Sequence, residues 1–197
     1  MPRKHRLCLP EVTYHVTSRC IEIRPLMGPD DMKELMISVL NMALEKYTFE
    51  LASFTLMDTH FHFFIRTVLN GETISSIMQY IKSQFARRYN KMMDRTGPFW
   101  NERFRDSIIE LSDEPETAFF FKIIDTAYIP VRSKNVVNPR DYMYGSFNCY
   151  IDARFVSPVS ITLHKYFLKL GNTFCECVKK FLEYEEKYKN HLFPIYS

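Results

Sequence analysis

A chain of 197 residues with 46% hydrophobic residues is long enough to form one domain with a substantial core, and its composition excludes an intrinsically disordered chain. The net charge of +3 is too small to indicate a polyanionic partner. Only the distribution of charge along the chain can show whether such a partner is expected. No apolar run could span a bilayer, no signal peptide is visible, and five scattered cysteines suggest no disulfide framework. We therefore expect a cytoplasmic protein without a membrane partner.

The first half of the chain predicts a strand, a helix and then two further strands. Over 12–18, β-branched and aromatic residues recur in period two, which favours a strand. A helical repeat of apolar residues runs from Asp30 to Tyr47. A second strand is expected over 51–57, and a short turn leads from it into a third strand that begins at His60.

The second half predicts a helix, a strand and another helix. Thr73 is placed to cap the first of these helices, which should end near Gly97. A strand is expected over 104–111. A helix start follows over 112–115, with acidic residues in its first turn, and Pro130 should stop that helix.

Taken together, these elements predict an α+β fold. Their order favours a mainly antiparallel sheet with helices on one face. After Pro158 the sequence predicts two short helices, separated at Gly171, that form a C-terminal appendage.

A His-Phe-His triplet in the third strand is the strongest candidate for a metal site. Residues two apart on a strand point to the same face, so His60 and His62 project together. Two neutral imidazoles in this arrangement can share one divalent cation. The alternative is that they are two half-buried polar residues on a sheet face.

Basic residues are concentrated between Lys82 and Asp106. This stretch has seven Lys or Arg residues against three acidic ones, interleaved with aromatic residues. Cations that contact phosphates, beside aromatic faces on which bases stack, are typical of single-stranded nucleic acid binding. The alternative is a solvated helix face with core aromatics behind it. The candidate phosphate contacts are Lys82, Arg87, Arg88, Lys91, Arg103 and Arg105.

Several short motifs follow one another in the order and spacing of a known family. They are Tyr-His-Val-Thr-Ser-Arg at 14–19, Met-Asp-Thr-His-Phe-His at 57–62, Tyr-Ile-Lys at 80–82, Phe-Ala-Arg-Arg-Tyr-Asn at 85–90, Gly-Pro-Phe-Trp at 97–100, Arg-Phe at 103–104, Pro-Val-Arg at 130–132 and Asp-Tyr at 141–142. With these motifs the chain resembles the REP-associated tyrosine transposases, a branch of the single-strand insertion-sequence transposases within the HUH endonucleases. The resemblance suggests a transposase-like domain over 1–152, followed by C-terminal helices over 153–197.

The resemblance implies a fold, a partner and a chemistry. Such proteins have a ferredoxin-like antiparallel sheet with helices on one face, and they usually act on hairpin-forming single-stranded DNA during transposition. Mg²⁺ or Mn²⁺, held by the histidine pair and one ligand from a helix, polarises the scissile phosphate. A tyrosine on that helix then attacks phosphorus to form a 5′-phosphotyrosine. Some members of the wider group pair their sheets into dimers, so the resemblance leaves a homodimer open.

The chain departs from the family pattern at two positions of this chemistry. In the family the nucleophilic tyrosine stands five residues before the proline of an Asn-Pro-Val-Arg motif. Counting back from Pro130 places Asp125 in the tyrosine position and Ile129 in the asparagine position. A carboxylate does not replace the phenol in the covalent step, and isoleucine does not bind metal.

Three interpretations remain open at this stage. In the first, Tyr128 is a displaced nucleophile and Asp125 is the third metal ligand beside His60 and His62, because residues three apart on a helix are neighbours. In the second, which we call the binding-only alternative, the protein binds DNA, with or without metal, but does not cut. In the third, it is an interaction protein with no nucleic acid partner.

Overall fold

The computed structural model describes residues 7–192, and the side chains of residues 7–190. Its centre is one four-stranded sheet in the spatial order β2-β3-β1-β4, with every neighbouring pair antiparallel. The strands are β1 (Thr13–Arg19), β2 (Phe49–Leu56), β3 (His60–Thr67) and β4 (Arg105–Ile108). Over residues 7–192, no helix combines the length and the apolar character needed to cross a membrane.

Two long helices, α1 (Asp30–Lys46) and α2 (Ile74–Met92), cover one face of the sheet. Their apolar stripes join the alternate strand residues of that face, such as Val16 and Phe63, in one buried cluster. The hydroxyl of Thr73 accepts a hydrogen bond from the backbone N–H of Ser76, as the sequence predicts for an N-cap. An antiparallel sheet with two helices on one face confirms the predicted α+β, ferredoxin-like class.

Later helices cover the other face. They are α3 (Pro115–Ala127), α4 (Ile129–Arg132), α5 (Lys165–Leu168) and α6 (Phe174–Leu192). A second buried cluster joins Phe64 of the sheet to Phe119 of α3 and Phe181 of α6. The last helix has 19 residues, so it is not one of the two short helices that the sequence predicts. The boundary between 152 and 153 stays a prediction.

The helix that Pro130 is predicted to stop ends at Ala127, just before this proline, but the helical path continues into α4, which contains Pro130. Tyr128 keeps a helical backbone conformation, and the N–H of Arg132 bonds to the carbonyl of Tyr128. Pro130 lies in the first turn of α4, where a missing backbone N–H costs nothing. The helical path therefore continues past Tyr128 and carries Arg132 to the end of α4.

The strand predicted over 104–111 is shorter than expected. Only Arg105–Ile108 pairs with β1, and a 3-10 turn over Ile109–Leu111 follows. Within this turn Glu110 accepts hydrogen bonds from the backbone N–H and the hydroxyl of Thr13, at 2.7 and 3.0 Å. The backbone N–H of Thr13 therefore bonds to a side chain instead of to a backbone carbonyl of β4, and the pairing of β4 with β1 ends at Ile108.

The outer edge of β2 pairs with a later part of the chain. The N–H of Leu56 bonds to the carbonyl of Tyr144, and the N–H of Ser146 bonds to the carbonyl of Phe54, at 2.9 and 3.0 Å. Further along the same edge, the N–H of Thr162 bonds to the carbonyl of Leu51 at 2.9 Å. We call residues 144–162 the edge segment.

Candidate functional site

His60 and His62 lie side by side on β3, as the sequence predicts. Their ring centroids are 5.1 Å apart. Strand register pairs Arg19 with His60 and Thr17 with His62, so these four side chains share the face of the sheet. Nδ1 of His60 lies 2.8 Å from the hydroxyl oxygen of Thr59, so the Nε2 atom of His60 is the nitrogen left to bind a cation.

His15 on β1 completes this group, although no role can be assigned to it from the sequence motifs. Its Nε2 lies 2.9 Å from Nδ1 of His62, and its ring stacks on Phe64 with centroids 4.6 Å apart. The contact leaves Nε2 of His62 to bind a cation, because the second nitrogen of a metal-binding imidazole is usually held by a hydrogen bond. The period of β1 could have placed His15 on this face, but only the register shows that it meets His62.

All three imidazoles are held in the neutral form that binds metals. Burial, followed by the charges of neighbouring groups, lowers the pKa of His62 to about 2. Burial and the charge of Lys122 lower the pKa of His15 to about 4. Burial and the charge of Arg19 also lower the pKa of His60. The pair therefore offers two lone pairs at neutral pH.

Asp125 lies on α3 with its side chain about half exposed. Its Oδ1 accepts a hydrogen bond from the hydroxyl of Tyr188 at 2.7 Å and pairs with Nη1 of Arg132 at 3.1 Å. Within the described part of the chain, no group of three or more His, Cys, Asp or Glu side chains is arranged to hold a metal ion. The imidazole pair fits two positions of a divalent-cation site, and the role of Asp125 as a third ligand stays a prediction.

Tyr128 lies in the second buried cluster, with its side chain directed at α6. Its residue is 5% exposed, and its hydroxyl donates to Oε1 of Glu185 at 2.6 Å. Glu185 is also held by both terminal nitrogens of Arg140, at 2.8 and 3.1 Å. Burial and the hydrogen bond to Glu185 raise the pKa of Tyr128. The structure thus brings Tyr128 to a buried carboxylate on α6.

The predicted basic residues of α2 fall on different sides of the helix. Lys82 lies on the wall of a groove of about 520 Å³ between α2 and residues 97–104. Arg87 and Lys91 are exposed, one turn apart. Arg88 is half-buried against α1, with Nη2 3.2 Å from the sulfur of Met42.

Arg103 connects this groove to the histidine face. It lines the groove beside Trp100, and it also lines a smaller hollow together with Arg19 and Arg105. Arg105 is highly exposed and forms an ion pair with Glu102 at 2.7 Å. We call Arg19, Arg103 and Arg105 the basic cluster.

Arg19 is a second residue to which the sequence motifs assign no role. It ends β1 directly opposite His60, and its charge lowers the pKa of that histidine. The basic cluster therefore reaches the imidazole pair. The Ser-Arg pair that ends the first motif was the only sequence signal for this role. Arg19 and His60 are 41 residues apart in the sequence, so no local pattern indicates that they are neighbours in the fold.

Comparison with known proteins decides the family. Residues 8–117, more than half of the chain, match the family described as IS200-like transposases. The chain belongs to the IS200-like transposase family. The resemblance inferred from the sequence motifs is thereby confirmed. No curated protein matches this transposase.

Solved structures similar to this IS200-like transposase include the following two. One is the REP-associated tyrosine transposase bound to a REP hairpin, with 14% identity, 83% of this chain and 100% of that chain covered, and a TM-score of 0.62. The other is a protein of Deinococcus radiodurans R1 described as a transposase, with 17% identity, coverages of 64% and 95%, and a TM-score of 0.38. Only the first likeness is strong enough to establish a common fold.

Proposed function

We propose that this IS200-like transposase binds hairpin-forming single-stranded DNA along its basic cluster. The observation that carries the proposal is the position of Arg103, which lines both the groove beside Trp100 and the hollow beside Arg19. Family membership and the common fold with a transposase that was solved bound to a REP hairpin support it.

The groove and the hollow suit different parts of a nucleotide. Trp100 and Phe104 give the groove aromatic surface, and bases of any sequence stack on such surfaces. The basic cluster supplies three guanidinium groups, which match the geometry of phosphate oxygens. A strand that runs from the groove through the hollow would bring its backbone to His60.

We also propose Mg²⁺ or Mn²⁺ as the cofactor, with His60 and His62 as its two protein ligands. These cations prefer oxygen ligands, so water and a DNA phosphate would complete the shell. Bound there, the cation would polarise the phosphate. His15 would act as a positioning residue, because its contact with Nδ1 of His62 fixes the orientation of that ring.

The contacts of Tyr128 argue against its role as a displaced nucleophile. To attack DNA, its hydroxyl would have to leave Glu185, which is 2% exposed and would lose a buried partner. The interaction-protein interpretation does not account for three arginines gathered beside two neutral imidazoles. It would predict that the protein binds neither DNA nor manganese.

A binding assay with matched arginine variants tests the proposed DNA surface. We expect Arg103→Ala to weaken binding of a labelled DNA hairpin with a single-stranded tail and to reduce the slope of log K against log salt by about 1. Arg154→Ala is the control, because Arg154 is another exposed arginine, in the edge segment beyond β2 at the opposite side of the sheet from β4. Equal affinities of the two variants would refute the proposed surface.

A further inference from the structure

We propose that Tyr188, carried by α6, is the tyrosine that attacks the DNA backbone, and that Asp125 accepts its proton. This inference rests on the proposed binding of single-stranded DNA and adds a cleavage step to it. It assigns the nucleophile to a helix that lies beyond the residues matched to the family.

The first support is the position of the Tyr188 hydroxyl. It donates to Oδ1 of Asp125 at 2.7 Å, and Nη1 of Arg132 donates to it at 2.5 Å. Asp125 stands in the sequence position where the family resemblance expects the nucleophilic tyrosine. The hydrogen bond from Tyr188 places a phenol oxygen 2.7 Å from the carboxylate of residue 125. A phenol thus lies beyond residue 125 even though residue 125 is not a tyrosine.

The second support is the location of α3 relative to the histidines. Lys122, one turn before Asp125, donates to the hydroxyl of Ser107 on β4 at 2.8 Å. Ser107 is the register partner of His15 on β1. His15 in turn contacts His62, so this part of α3 lies over the strands that carry the imidazoles.

The third support is the contrast between two tyrosines that bond to carboxylates. The Tyr188 ring is packed against Tyr128 with centroids 5.4 Å apart, and the residue is 4% exposed. Its hydroxyl, however, bonds to Asp125 and Arg132, which form an ion pair. Their side chains are 50% and 36% exposed, respectively. The hydroxyl of Tyr128 donates instead to Glu185, whose side chain is only 3% exposed. The ring of Tyr188 is therefore fixed by packing, while its oxygen contacts two side chains that are themselves partly exposed.

These groups have complementary roles in the step. A phosphate that binds Arg132 comes next to the Tyr188 oxygen, because the guanidinium already contacts that oxygen. The phenol oxygen bonds to phosphorus while its proton passes to Asp125. The bond between phosphorus and the 3′ oxygen breaks, and this oxygen takes a proton from water. The products are a 5′-phosphotyrosine and a free 3′ hydroxyl.

Two tyrosine variants test the inference on the full chain. Each replaces a phenol that donates to a carboxylate with a phenylalanine, so Tyr128→Phe is a matched control for Tyr188→Phe. The protein is incubated with a labelled hairpin carrying a single-stranded tail and Mn²⁺, and SDS-resistant adducts are counted. We expect the adduct to persist in Tyr128→Phe and to disappear in Tyr188→Phe, which still binds the hairpin and melts at a similar temperature. Peptide mass mapping should locate the nucleotide on Tyr188.

A third variant examines the proton acceptor. Asp125→Asn keeps a hydrogen-bond acceptor but cannot take the proton at neutral pH, so adduct formation should slow by about 100-fold with hairpin binding unchanged. An adduct that persists in Tyr188→Phe, or that maps to another residue, would overturn the assignment. Hairpin binding by the unaltered chain without any adduct would overturn the cleavage step alone and leave the proposed DNA binding intact. Loss of both would refute the proposed function as well.

Discussion

The ring of His15 stacks on Phe64 and contacts His62, so it determines which nitrogen His62 offers to a cation. Replacing His15 with phenylalanine retains a ring that can stack but removes the contact to Nδ1 of His62. We expect Mn²⁺ affinity, measured by isothermal titration calorimetry, to fall by about 10- to 100-fold.

The matched control for this prediction is His62→Phe, which removes a proposed ligand rather than its support. It should weaken Mn²⁺ binding more than His15→Phe does. Equal Mn²⁺ affinity in His15→Phe and the unaltered chain would show that His15 only fills space on the sheet face.

At the scale of single residues, the sequence reveals chemistry only where its partners are near in the chain. His60 and His62 can be predicted because they are two apart on one strand. The contacts of His15 and Arg19 with the histidine pair depend on the register between β1 and β3. This register cannot be read from the sequence. Tyr188 lies 63 residues from Asp125, so no local pattern connects them.

At the scale of elements, α6 is held to the site by a buried acid. Glu185 receives hydrogen bonds from Arg140 and Tyr128, and Lys189 lies 3.4 Å from it. Burial alone would raise the pKa of Glu185, but the hydrogen bonds from Arg140 and Tyr128 hold it below its ordinary value. A carboxylate with a lowered pKa stabilises the fold at neutral pH, and this stabilisation is lost as the pH falls below about 4.5.

The corresponding variant is Glu185→Gln, with Glu186→Gln as the control because Glu186 is exposed on the same helix. We expect Glu185→Gln to lower the free energy of unfolding at pH 7 by about 1–3 kcal/mol, since Arg140 loses a charged partner. Urea unfolding should also depend less on pH below 4.5 in this variant. A loss no larger than that of Glu186→Gln would mean that α6 is held by its aromatic packing alone.

The elements themselves differ in how well the sequence predicts them. The helical repeats of α1 and α2 and the cap at Thr73 are local, so these elements are predicted nearly in full. The length of β4 is overestimated because Glu110 lies outside the strand and bonds to Thr13. This tertiary contact has no local signal in the sequence. The apolar face of α6 can be recognised locally, but its partner α3 cannot.

At the scale of the whole molecule, the edge segment limits how the sheet could pair with that of a second copy of the chain. Sheets pair between molecules through free backbone groups at an edge strand. Here backbone groups of Leu51, Phe54 and Leu56 already bond to the edge segment, and β4 at the other edge has only four residues.

We therefore expect a monomer of 23.6 kDa in sedimentation equilibrium at micromolar concentration. The reason is that pairing through β2 would first require the edge segment to be displaced. A mass near twice this value, retained on dilution, would contradict the expectation and would indicate the homodimer that the family resemblance leaves open.

Trp100 is the only tryptophan in the chain, and it lines the groove beside the basic cluster. Its indole N–H donates to the carbonyl of Lys82 at 2.9 Å, and the ammonium of Lys82 lies 5.3 Å from its ring. The single tryptophan fluorophore of the chain thus lies at the place where a base would stack. Quenching or a spectral shift of its emission would report occupancy of this groove by an unlabelled oligonucleotide, without any added dye.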